Sequence, residues 1–193
     1  QGHLQRVDFI HFSPDGRKLV SNTLGGGGRV WDVESRTEIW SDDRHSLGLG
    51  GGAVYSPDGA RLLSIASGRV VMWDGSSGDE IWTYANDGGV VAVAFSPNGT
   101  RIAVGTWGSG ALIILDSESG DSLSELDTGS GVGILIWSPD GRHLFVGLAN
   151  ANLQVVDSAT LTVVATWGGH SSDPISMAVD SSGTRLSTGG DDG

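Results

Sequence analysis

The chain has 193 residues, with eleven Lys and Arg against twenty-three Asp and Glu, a net charge of −12 and no cysteine. The missing cysteine excludes a disulfide framework, a thiolate metal site and a Cys nucleophile. The scattered cations, with Lys18 the one lysine, argue against direct contact with a nucleic-acid backbone. No run approaches roughly 18 consecutive apolar residues, so nothing reads as a helix inserted in a membrane. The opening Gln1–Arg6 lacks the charged and apolar regions of a signal peptide. We expect a soluble chain, its compartment left open with the cytoplasm favoured.

Apolar alternation and turn residues predict short strands in groups of four. The first group is Val7–Phe12, Arg17–Ser21, Arg29–Val33 and Glu38–Ser41. The second is Ala53–Tyr55, Arg61–Ala66, Arg69–Trp73 and Glu80–Tyr84. The third is Val90–Phe95, Arg101–Thr106, Ala111–Leu115 and Ser122–Leu126. The fourth is Gly133–Trp137, His143–Leu148, Asn152–Val156 and Leu161–Thr166. Two more strands, Ile175–Val179 and Arg185–Thr188, end the chain, and no segment shows helical periodicity.

One phrase closes each first strand. It reads Phe12-Ser13-Pro14-Asp15-Gly16, Tyr55-Ser56-Pro57-Asp58-Gly59, Phe95-Ser96-Pro97-Asn98-Gly99 and Trp137-Ser138-Pro139-Asp140-Gly141, with a decayed copy at Val179-Asp180-Ser181-Ser182-Gly183. The steps are 43, 40, 42 and 42 residues. Pro presets φ, Asp or Asn bonds its own backbone and Gly accepts a positive φ, so each phrase makes a hairpin turn. A second series, Trp31-Asp32, Trp73-Asp74, Leu115-Asp116 and Val156-Asp157, runs at 42, 42 and 41. After it come Asp74–Gly78 and Asp116–Gly120. Arg36 and Leu161 stand where those turns have glycine, so we expect their turns to differ. A period of about 40–45 residues with four strands per unit marks a β-propeller. The glycine runs Gly25–Gly28 and Gly50–Gly52 lack the helix or Lys of a phosphate cradle and read as loops.

With both series quoted, the chain resembles the WD-repeat (Trp-Asp) β-propeller family along nearly its whole length. The resemblance implies an all-β propeller of four-stranded antiparallel blades, four complete repeats plus half of a fifth, an arc of a larger propeller completed by other sequence. It is read as a single domain over 1–193, with repeats at 3–44, 45–86, 87–127, 128–169 and a partial 170–193. In that family a Gly-His pair, a second-strand hydroxyl, a turn Asp and the third-strand Trp form a hydrogen-bonded network. Gly2-His3 and Gly169-His170 match the pair, and His45 matches it loosely. By position, His170, Ser187 and Asp192 form the expected network of the last unit, and no repeat holds all members.

Metal ligation needs several converging ligands. No His-x-x-x-His or Glu-x-x-His spacing occurs, so His3, His11, His45, His143 and His170 are read as structural and no metal or cofactor is expected. No Gly-x-Ser-x-Gly elbow favours a Ser–His–Asp hydrolase. Trp31, Trp73 and Trp137 are expected between blades, and Trp40 and Trp82 repeat on fourth strands. Trp107 and Trp167 have no repeat equivalents and fall on loops that the resemblance places on one partner-binding face. Trp combines apolar area with a polar handle and is enriched at binding hot spots.

The reading is a non-catalytic protein–protein interaction scaffold with unidentified protein partners. Its candidate contacts are Leu24, Arg44, Leu49, Trp107 and Trp167. The alternatives are an architectural subunit of a complex, the propeller of a lactonase- or hydrolase-like enzyme, and a ligand-binding propeller.

Overall fold

A computed structural model describes residues 2–4, 6–23, 26–42 and 52–192. The chain divides into two compact units, Gln1–Asn86 and Asp87–Gly193, and the division falls on a boundary between repeats. Every described element is a strand, so no helix there is long and apolar enough to cross a membrane.

Unit 1 holds two four-stranded antiparallel sheets. The first is β1 (Val7–Phe12), β2 (Lys18–Thr23), β3 (Gly26–Asp32) and β4 (Thr37–Asp42); the second is β5 (Ala53–Tyr55), β6 (Arg61–Ala66), β7 (Arg69–Asp74) and β8 (Glu80–Ala85). In unit 2 come β9 (Val90–Phe95), β10 (Arg101–Thr106), β11 (Ala111–Asp116) and β12 (Ser122–Asp127), then β13 (Val132–Trp137), β14 (His143–Leu148), β15 (Asn152–Asp157) and β16 (Thr162–Gly168). A two-stranded sheet of β17 (Pro174–Val179) and β18 (Leu186–Gly190) follows. Each full sheet pairs its strands in chain order, as a meander with tight turns must.

Burial follows position in the sheet. The second strands of the four full sheets are mostly buried, as in Leu62, Leu63, Ile65 and Ala66 of β6. Each of these Leu and Ile side chains contributes about 1.5–3 kcal/mol on burial. Fourth strands are mostly exposed. In unit 1 the core joins Val20 and Val30 of the first sheet to Tyr55, Leu62, Val71 and Trp73 of the second, with Trp40 against it. The Trp40 and Trp73 rings lie 6.1 Å apart. Gly78, at φ +75°, leaves room for Trp40, whose ring atom would sit 2.6 Å from a Cβ there. In unit 2 Trp137 is buried and donates its indole N–H to the Ala94 carbonyl at 3.2 Å, tying one sheet to the next.

The hairpin turns repeat in atomic detail. Ser13 donates its hydroxyl to Asp15 Oδ1 at 2.6 Å and accepts from the Lys18 N–H at 2.9 Å, while Asp15 accepts from the Arg17 N–H. Ser56 with Asp58, Ser96 with Asn98 and Ser138 with Asp140 do the same. In the decayed copy the Asp180 carboxylate replaces the serine and accepts from the Arg185 N–H at 3.0 Å.

Two expectations are corrected here. Gly26–Gly28 is strand, paired with Thr23, Asn22 and Asp42, because the ladder is made by backbone groups that glycine supplies as well as any residue. The turns at Arg36 and Leu161 do not differ from their glycine equivalents. Both residues take the left-handed conformation, φ +59° and +51°, beside Gly78 at +75° and Gly120 at +77°. The repeating Asp32 and Asp157 carboxylates hold those turns, accepting from the N–H groups of Ser35 and Thr160.

A feature without a sequence signature recurs in all four full sheets. Pairing between third and fourth strands slips by one residue at Ile39, Ile81, Leu123 and Val164. Each is a bulge that leaves an aliphatic exposed and interrupts the open edge, a device that discourages edge-to-edge pairing.

Candidate functional site

In unit 2 the connections opposite the Ser-Pro-Asp-Gly turns are knitted through their backbones. Trp107 donates its N–H to Gly89 O at 3.0 Å and Gly108 to Gly88 O at 2.8 Å. The Thr128 N–H and hydroxyl both reach Gly110 O, and Gln154 donates to Thr128 O at 3.1 Å. Glycine permits these approaches. A Cβ on Gly131 would lie 2.5 Å from Trp107 O, and one on Gly110 would lie 2.8 Å from Ser130 O. The Trp107 ring edge comes 3.4 Å from where a Gly133 Cβ would stand, and Gly133 is itself a bulge residue between β13 and β14.

Trp107 nevertheless keeps 47% of its surface in solvent, and Trp167, near the end of β16 opposite Leu153, keeps 46%. A large ring fixed on a rigid backbone and half exposed loses little entropy when a partner covers it. Leu24, Arg44 and Leu49 lie outside the described residues, as does His45.

The histidine networks stand at the same end of their sheets. In the last sheet His170 places Nδ1 3.0 Å from Asp192 Oδ1 and Nε2 2.7 Å from Thr188 Oγ1. The Ser171 N–H, followed by the His170 ring, holds the Asp192 carboxyl below the usual carboxylate range. The hydroxyl is therefore Thr188 and not Ser187. Adjacent strand residues face opposite ways, and Ser187 instead points its hydroxyl to Ala178 O at 3.3 Å. The sequence carried the necessary cue, because Ser21, Ser64 and Thr188 each stand eight residues beyond the first turn position.

In the first sheet His3 Nε2 lies 2.6 Å from Ser21 Oγ, which also accepts the Trp31 indole N–H at 2.7 Å. A hydroxyl carries one donor and two acceptor sites, so it serves both. Carboxylate, imidazole and hydroxyl in line resemble an acyl-transfer relay. The His–hydroxyl contact recurs in two sheets, and in one of them the hydroxyl accepts a structural indole, which makes it blade architecture. Among the described residues no group of three or more His, Asp or Glu could hold a metal ion.

Residues 161–193 match the family model described as WD domain, G-beta repeat. Residues 18–170, well over half the chain, match the model described as outer membrane protein assembly factor BamB. A curated relative, THO complex subunit 3 of Arabidopsis thaliana, is 27% identical over 110 residues, covering 54% of this chain and 35% of the relative. The solved β-propeller domain of Myceliophteria thermophila Cps50 (Swd1) superposes at a TM-score of 0.83 and 19% identity, covering 98% of this chain and 63% of that one.

The chain is a WD-repeat β-propeller that also belongs, through residues 18–170, to the BamB family. It spans about a third of the curated relative's length and under two thirds of the solved domain's. In this WD-repeat propeller the family network is split. The first sheet keeps His, hydroxyl and Trp, and the last keeps His, hydroxyl and Asp.

Proposed function

We propose that this chain is a non-catalytic protein-interaction platform within a multi-protein assembly, binding through the end of unit 2 that carries Trp107 and Trp167. One observation carries this reading. Trp107 is pinned by backbone hydrogen bonds and glycine close approaches, yet nearly half its surface stays in water. Residues freed from the repeat are freed from the packing that fixes the others, and a large aromatic there is an expensive way to cover a loop.

An architectural role in a complex is the second reading. It is favoured by the relative whose name makes it a subunit of the THO complex. Site-specific photo-crosslinking tests the proposal. A benzophenone amino acid at position 107 should crosslink a discrete protein partner, and the same group at Ser119, on the opposite end, should not. Equal labelling from both positions, or none from position 107, sinks it.

A further inference from the structure

The charges of residues 87–193 are sorted by end. At the Ser-Pro-Asp-Gly end, carboxylates are interleaved with cations: Arg142 stands 3.9 Å from Asp140, and Arg101 donates to Ser158 O at 3.3 Å. Arg185 follows the Asp180 turn there as well. These three arginines are all the Lys and Arg that the segment contains. The opposite end carries Asp127 at the close of β12 and Asp87, Asp173, Asp191 and Asp192 in its connections, with no Lys or Arg from this segment. Asp87, Asp127 and Asp191 are exposed, and the same end presents the half-exposed Trp107 and Trp167.

Carboxylates that no Lys or Arg of the same segment accompanies at that end sum to a field that attracts positive charge and speeds its encounter. An indole face adds a cation–π contact of about 0.5–2 kcal/mol with Lys or Arg. We infer that this end receives an extended Lys- or Arg-rich segment of a protein partner, steered by Asp87 and Asp127 and covered by Trp107. The inference rests on the interaction-platform reading of the same end and gives the partner its chemistry. Asp192 holds His170 and Ser171, and Asp87 and Asp127, next in the chain to the Gly88 and Thr128 groups bonded to the Trp107–Gly110 connection, are the ones to alter. Asp127 Oδ1 accepts the Gly129 N–H at 2.8 Å, a contact that Asn preserves.

The test uses a fluorescein-labelled peptide of alternating Gly-Ser and Arg-Lys pairs, and its Glu-Asp counterpart, titrated against the whole chain by anisotropy. The cationic peptide should bind, weakening about tenfold as salt rises from low to several times physiological strength. Asp87→Asn with Asp127→Asn should weaken it at least about fivefold, and Trp107→Ala about tenfold. Glu118→Gln with Asp121→Asn, at the other end, should change nothing. Unfolding midpoints show that each variant is folded. No binding of the cationic peptide, equal binding of the acidic one, or equal loss from the Glu118 and Asp121 changes overturns the inference. If position 107 still crosslinks a natural partner while the cationic peptide is ignored, the platform reading survives and this one falls. Peptide binding with no crosslink from position 107 supports the cationic preference and overturns the platform reading.

Discussion

Trp73 donates its indole N–H to the Ser64 hydroxyl across 2.9 Å, with both side chains fully buried. The same pair exists as Trp31 and Ser21 in the first sheet. Where the third-strand Trp is replaced by Leu115 or Val156, the hydroxyl position holds Val104 or Val146. A buried indole needs an acceptor, and a buried hydroxyl without one is a cost. The two positions therefore change together. Ser64→Ala should cost about 1–3 kcal/mol by orphaning the indole. In a double-mutant cycle with Trp73→Phe, the pair should couple by about 1 kcal/mol or more. Strictly additive losses in urea unfolding would show that the bond contributes nothing.

Arg36 and Leu161 test backbone strain against packing. Both occupy left-handed φ, which costs a non-glycine residue on the order of 1 kcal/mol. Arg36 is exposed, so Arg36→Gly should raise stability by about 0.5–1 kcal/mol. Leu161 is buried against Leu144 and Val156 in the unit 2 core, so Leu161→Gly should lower it by about 2–4 kcal/mol despite the relieved strain. A destabilised Arg36→Gly would mean that its conformation is unstrained.

Acid should act through the hairpin turns. The Ser13, Ser56 and Ser138 hydroxyls, followed by backbone N–H groups, hold the Asp15, Asp58 and Asp140 carboxyls below their ordinary range. A carboxyl depressed on folding contributes stability that is fully present above its unfolded value, near 4. That stability is lost as pH falls through the lower folded value. The unfolding midpoint should hold from neutral pH to about 5 and then drop. Asn98 keeps the same contacts without titrating, accepting from Ser96 Oγ at 2.8 Å and Thr100 N–H at 3.1 Å. Asp58→Asn should therefore leave neutral stability nearly unchanged and flatten part of the acid decline, as read by urea midpoints across pH. A decline of unchanged slope would show that Asp58 has no part in it.

The network of the last sheet offers a sharper discrimination. Thr188→Val should lower the unfolding midpoint, because it leaves His170 Nε2 unpaired, while Ser187→Val should be close to neutral. The reverse ranking would restore Ser187 to the network.

The strand series was legible because its signals are local. Proline, Asp and Gly fix each turn, and β1, β5, β6, β9, β10 and β14 begin and end where alternation and turns place them. Other features depend on what a residue meets across space. Gly26–Gly28 looks like a loop and is strand because β2 and β4 flank it. The bulges at Ile39, Ile81, Leu123 and Val164 arise from pairing, and nothing in an exposed aliphatic announces them. Trp107 was visible as an off-repeat aromatic. The hydrogen bonds to Gly88 and Gly89 that pin its backbone join positions remote from it in sequence.

The pinning of Trp107 makes binding and folding separable there. Trp107→Ala removes a ring that is half in solvent, while its backbone contacts to Gly89 O and from Gly108 to Gly88 O survive. Partner affinity should fall by about 1–4 kcal/mol if the ring is a hot spot. The unfolding midpoint should move by no more than about 0.5 kcal/mol equivalent. Gly131→Ala acts on the same turn from below. Its Cβ would sit 2.5 Å from Trp107 O, and backbone cannot swing aside as a flexible side chain does. The turn must shift, which should cost about 1–3 kcal/mol of stability and displace the ring as well. The expected pattern is thus loss of binding alone for Trp107→Ala and loss of both for Gly131→Ala, measured by partner titration alongside urea unfolding. A Trp107→Ala protein that unfolds early but binds normally per folded molecule would make the ring a cover for Gly133 and move the binding surface elsewhere.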